Sequence, residues 1–143
     1  MSSFYLPRHI EVGAGSLTKL GKIIRKQGAC KPLIVIDSIL AKPPLNVHEK
    51  IIGILQDEQI DPIFYRGISG EPNTDHVSAA LDKLNQAEAD IIVGIGGGSS
   101  IDVAKAVAVL ALNDELQFNN IHNIEKNIDR LPLIAIPTTA GTG

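Results

Sequence analysis

Three apolar runs in this chain do not alternate with polar residues: Leu33-Ile34-Val35-Ile36, Ile91-Ile92-Val93-Gly94-Ile95 and Leu131-Pro132-Leu133-Ile134-Ala135-Ile136. A strand with one wet face alternates, whereas a strand apolar throughout needs cover on both faces, as a parallel strand between helices has. The three runs are therefore predicted as central strands. Helical patterns fall between them, at about 16–27, 47–55, 74–88 and 100–112, with one more strand-like run at Pro62-Ile63-Phe64-Tyr65. This alternation predicts βαβ units on a parallel sheet, an α/β fold with helices on both faces. In the first helix Leu17, Leu20, Ile23 and Ile24 share a face, and Gly28 is a natural stop. Residues 113–130 are polar and Asn-rich and read as a surface excursion with one weak helical turn.

A chain of 143 residues fits one domain of roughly 100–200 residues. With 44% hydrophobic and 20% charged residues it has the balance of a globular protein with a sizeable core. A net charge of −3 without a basic block argues against nucleic acid or an anionic membrane as partner. No apolar stretch approaches the roughly 18–20 residues of a membrane span, and the start, MSSFYLPRHIEVG, lacks the pattern of a secretory leader. A cytoplasmic protein is expected. The lone Cys30 reads as a buried thiol. His9, His48, His76 and His122 are scattered and read as surface histidines, so no metal site is expected. Asp57-Glu58 and Asp114-Glu115 read as solvated, and no catalytic residue is assigned.

The most informative stretch is IIVGIGGGSSIDVAK, from Ile91 to Lys105, in which a buried strand meets Gly96-Gly97-Gly98 and passes directly into a helix. A backbone turning over an anion must reach positive φ in places and let the ligand touch the main chain, which glycine does without steric cost. The first-turn N–H groups and the positive end of the helix dipole then favour a phosphate or pyrophosphate. Ser99 and Ser100 add hydroxyls at the same place. The alternative is a turn that only ends a strand, but three adjacent glycines lose much conformational freedom, and a connective turn gains little from them. The spacing is neither GxGxxG with an acid about twenty residues on, nor a Walker loop. A phosphate-bearing ligand is expected.

Gly96 to Lys105, GGGSSIDVAK, together with Pro137-Thr138-Thr139-Ala140-Gly141-Thr142-Gly143, resembles in order and spacing two signatures of the iron-containing alcohol dehydrogenase family. The Gly13-Ala14-Gly15-Ser16 turn, the aspartate closing the first long strand and the Glu71-Pro72-Asn73 turn extend the resemblance over the whole chain. It implies a Rossmann-like dinucleotide-binding domain over 1–143. In family members an all-helical half follows, supplying one aspartate and three histidines to a divalent metal, iron or zinc. Family chains continue past this point, so the chain is expected to be a fragment lacking that metal-binding half.

The resemblance places Asp37 at the adenine ribose. A carboxylate there accepts from both ribose hydroxyls and repels a 2′-phosphate, so NAD is expected over NADP; a helix or turn cap is the alternative. Asn73 matches a position near the cofactor, although Thr74 with Asp75 also reads as an N-cap and first-turn acid. Asp102 resembles positions facing the nicotinamide ribose or substrate, and an acid in the helix's first turn is also stabilised by the dipole. Thr138, Thr139 and Thr142 match the second cofactor loop, unless Pro137-Thr138-Thr139 simply terminates a strand. With Gly96, Gly97, Gly98 and Ser99, these residues make up the expected NAD site.

For the full-length protein the resemblance implies hydride transfer between an alcohol and NAD, with small alcohols or aldehydes as partners and the metal polarising the alcohol oxygen. A homo-oligomer is compatible with this. Two other readings stay open: a nucleotide-binding module without catalysis, and the first half of a dehydroquinate synthase-like cyclase. The serine after the glycines and the Thr-Thr-Ala-Gly-Thr-Gly ending favour the dehydrogenase. Substrate identity is not legible.

Overall fold

The computed structural model describes residues 15–113 and 129–138. Strands β1 (Pro32–Asp37), β2 (Ile63–Ile68), β3 (Ile91–Gly96) and β4 (Leu133–Pro137) form one parallel sheet in the order β2-β1-β3-β4. A 3-10 turn at Ser16–Lys19 leads into helix α1 (Leu20–Lys26), and α2 (Val47–Gln56), α3 (Thr74–Ala87) and α4 (Gly98–Leu110) complete the described helices.

The unalternating runs do what their composition requires. Successive side chains of a strand point to opposite faces, and β1 sends Leu33 and Val35 one way and Ile34 and Ile36 the other. The first pair packs with Ile92 against Val77 and Leu84 of α3 and Val103 and Val107 of α4. The second pair joins Ile91, Val93 and Ile95 against Leu20 and Ile24 of α1 and Ile51 and Leu55 of α2. Full burial of each such side chain stabilises the fold by about 1.5–3 kcal/mol, so each face has its own core.

Several expectations need correction. The run at 131–136 is not a buried central strand: β4 pairs with β3 alone among the described residues, and its side chains are half-buried or exposed. They touch both cores only from the rim. Cys30 is exposed, not buried, because it lies in the connection entering β1. There its main-chain N–H donates to Asp90 Oδ2 at 3.0 Å and its Sγ lies 3.5 Å from the same oxygen. His48 and His76 are half-buried rather than solvated, each with a buried, unpartnered Nδ1, and His48 stands edge-on to Phe64 at 6.1 Å. α4 begins at Gly98, two residues before the expected start, and β2 runs on to Ile68.

Residues 114–128, which hold most of the polar excursion, lie outside the described residues, as do His9 and His122. The excursion's base is closed by Asn113, whose Nδ2 donates to the carbonyls of Val109 and Asp129 at 2.7 Å each. Among the described residues, no helix is long and apolar enough to cross a membrane.

Candidate functional site

From β1 the chain passes to β2 on one side, then crosses back to β3 on the other. The strand order therefore reverses between β1 and β3. In open α/β sheets such a reversal leaves a crevice outside the carboxyl ends of the strands, where ligands bind. The register of these strands pairs Val35 with Gly94 and Ile36 with Ile95, so Asp37 and Gly96 finish side by side. Gly96 in turn pairs with Pro137, and Thr138 N–H donates to the Gly96 carbonyl at 3.0 Å. Three residues distant in sequence thus meet at the carboxyl ends of β1, β3 and β4, where that rule puts a ligand.

The glycines do different work. Gly96 has φ +140°, a conformation side-chain-bearing residues rarely adopt. A Cβ there would also lie 2.8 Å from Ser100 Oγ and 3.2 Å from Asp37 Cβ. Gly94, two residues earlier, would meet Ala104 Cβ at 2.8 Å and Ile101 Cα at 3.4 Å. Both glycines let the start of α4 press against β3. Gly98 is the opposite case, since a Cβ added there would meet nothing within 4 Å. Gly97 is the N-cap, with φ −82° and ψ −168°, so positive φ is needed at Gly96 and not along the whole run. No side chain caps α4, and its first-turn N–H groups lack intrahelical acceptors and share the positive end of the dipole. In α3, by contrast, a side chain fills that role.

That capping residue is Asn73, not Thr74: its Oδ1 accepts from His76 N–H at 2.9 Å, while Thr74 is the first helical residue and Asp75 the first-turn acid. Asn73 lies beyond the carboxyl end of β2, on the β2 side of the reversal. Asp37 is half-buried, and its Oδ1 accepts from Ile39 N–H at 2.9 Å. The turn-capping alternative is thus realised, yet it occupies one oxygen. The β1–β2 register slips between Val35 and Asp37, an irregularity of the kind that re-aims a side chain at a strand end.

Because α4 starts at Gly98, Asp102 is not in its first turn, which holds no acid. It lies one turn along the same face as Gly98, exposed, with Lys105 Nζ 3.9 Å away. The two serines are not equivalent. Ser99 is half-buried beside the turn, whereas Ser100 is fully buried and its hydroxyl has no partner. Thr139 and Thr142 lie outside the described residues.

Residues 7–143 match the family model for iron-containing alcohol dehydrogenases. The chain belongs to this family. Alcohol dehydrogenase 4 of Schizosaccharomyces pombe is 34% identical over 99% of the chain, and the NAD-dependent methanol dehydrogenase of Bacillus methanolicus is 32% identical over all of it. The solved alcohol dehydrogenase from Oenococcus oeni superposes with a TM-score of 0.84 at 26% identity, over 100% of the chain. The chain spans about a third of the length of these proteins: 33%, 37% and 37% respectively. Its parallel sheet with helices on both faces is the Rossmann-like arrangement expected from the sequence. Among the described residues, no three His, Cys, Asp or Glu side chains cluster as a metal would require.

Proposed function

We propose that this chain binds NAD across the carboxyl ends of β1 and β3, as the cofactor-binding portion of an enzyme that interconverts alcohols with aldehydes or ketones. The observation that carries this reading is the uncapped N-terminus of α4 opening beside the unpaired oxygen of Asp37 at the strand-order reversal. The pyrophosphate rests over Gly97 and Gly98, taking the first-turn amides and the Ser99 hydroxyl. Asp37 Oδ2 accepts from the adenine ribose and disfavours a 2′-phosphate. Thr138 stands beside the turn through its bond to Gly96, and Thr139 and Thr142 follow it in the same sequence motif. Asn73 and Asp102 stand at the margins of this site. The NAD dependence of the methanol dehydrogenase relative supports this choice of cofactor.

When bound, NAD supplies the hydride acceptor, and the residues named here hold and orient it. A base or Lewis acid at the alcohol oxygen is also needed, and the described residues provide no ligand cluster for one. The 143-residue chain alone is therefore expected not to reduce an aldehyde with NADH. Calorimetric titration with NAD tests the binding. Gly97→Val puts a branched side chain under the pyrophosphate at a backbone conformation valine tolerates, so binding should be lost with the circular dichroism spectrum intact. Unchanged affinity in that variant sinks the pyrophosphate assignment.

A further inference from the structure

Ser100 is the buried polar residue among the described residues, at 0% exposure, and its hydroxyl has no hydrogen-bond partner. What it contributes at this place is volume. Its Oγ and the Cβ of Asp37 converge on one point, the position a Gly96 side chain would take, from 2.8 and 3.2 Å. Ser100 and Asp37 therefore close, from two sides, on the one point that Gly96 leaves free by lacking a side chain, so an atom added there from position 100 would come to about 3.2 Å from Asp37 Cβ.

The neighbours differ in how far they can yield. α4 is held against β3, since Ala104 Cβ and Ile101 Cα already crowd Gly94. Gly96 is tied by its carbonyl to Thr138 N–H at 3.0 Å. Asp37 is the softer side: it is half-buried, ends its strand and lies where the register with β2 slips. Added bulk at position 100 is therefore relieved by displacing Asp37 from the turn.

We propose that Ser100 is a positioning residue that sets the distance between Asp37 and the glycine turn, and through it the discrimination between NAD and NADP. This rests on the dinucleotide reading above. Repulsion of a 2′-phosphate falls with distance from the carboxylate, so a displaced Asp37 discriminates less. A residue important only for folding would weaken both cofactors alike.

The test is the ratio of NAD to NADP affinity, measured by calorimetry on the whole chain. Ser100→Val should lower that ratio about tenfold, a difference near 1.4 kcal/mol, while the same change at exposed Ser78 of α3 should leave it at the native value. If Ser100→Val does not fold, Ser100→Cys adds bulk without a branch and should move the ratio the same way by less. A native ratio in the folded variant overturns the proposal. So does an equal fall in Ser100→Ala, which removes the hydroxyl without adding volume. A native chain that binds NAD while the variant keeps its ratio leaves the cofactor reading standing, whereas a native chain that binds neither dinucleotide overturns both.

Discussion

Two aspartates sit at opposite ends of the same strand pair and are used in opposite ways. Asp90 lies at the amino end, just before β3, where its carboxylate accepts from Lys31 N–H at 2.8 Å and from Cys30 N–H at 3.0 Å. Its own N–H donates to the Lys31 carbonyl at 3.0 Å. It thus ties the entry of β1 to the entry of β3. Burial pushes its pKa up, but the N–H donors of Lys31 and Cys30 outweigh that and hold it below the ordinary carboxylate range. Asp37, at the carboxyl end, has one main-chain donor on one oxygen. A carboxylate filled by main-chain donors fixes the chain, and one with an unpaired oxygen is ready for a ligand. On the proposed NAD reading, the two ends of the sheet divide stability from recognition in this way.

This contrast can be broken most decisively at Asp90. Asp90→Ala leaves the Cys30 and Lys31 N–H groups without their charged acceptor and should cost about 2 kcal/mol, read from the urea midpoint, with NAD affinity unchanged. A fall in affinity without a loss of stability would reverse the assignment. The same bonds predict a pH dependence. A folded pKa below the unfolded value contributes stability that is complete above the ordinary carboxylate pKa of about 3.9 and is lost as pH falls through the lowered folded value. The difference in urea midpoint between the native chain and Asp90→Ala should therefore be full at about pH 6 and shrink as pH falls below about 3.9 and through the lowered folded value.

At the other end, Asp37→Ala removes one hydrogen bond in a turn and should cost under about 1 kcal/mol of stability, while its effect on NAD binding should be the larger one. Asp37→Gly should move preference toward NADP; if the ratio of the two affinities does not change, Asp37 is not at the ribose. The smallest effect belongs to Asp102 and Lys105, whose side chains are 62% and 59% exposed at 3.9 Å. Screening leaves such a pair under about 0.5 kcal/mol, so Lys105→Ala should shift the thermal midpoint by little. A large loss would show that the α4 face one turn beyond Gly98 is held by more than solvent.

The βα alternation, the double-sided burial of β1 and β3 and the glycine turn are legible in the sequence because each is a local pattern. Apolar residues in unbroken runs demand cover wherever the strand lies, and Gly96-Gly97-Gly98 between a strand and a helix marks a close approach to something. Cys30 departs from its expected burial because the average behaviour of cysteine says nothing of a residue held in a connection by a carboxylate sixty positions away. β4 departs from the expected central strand because an apolar run reports that cover is needed, not which elements supply it. The identity of Asn73 as the cap depends on where the first helical turn begins, which neighbouring Thr74 obscures in sequence.

The sequence by itself determined the element types, the two-faced core and the candidate anion turn, because these follow from side-chain period, apolar composition and the conformational freedom of glycine. Only the tertiary structure decided that Asp37, Gly96 and Thr138 adjoin at the carboxyl ends of the strands, that Gly94 and Gly96 serve helix packing while Gly98 stays open, and that Ser100 is enclosed where Ser99 is not. Each of these depends on parallel register and strand order, which bring together residues with no local relation, and on helix–strand distances that depend on what two distant surfaces leave for one another.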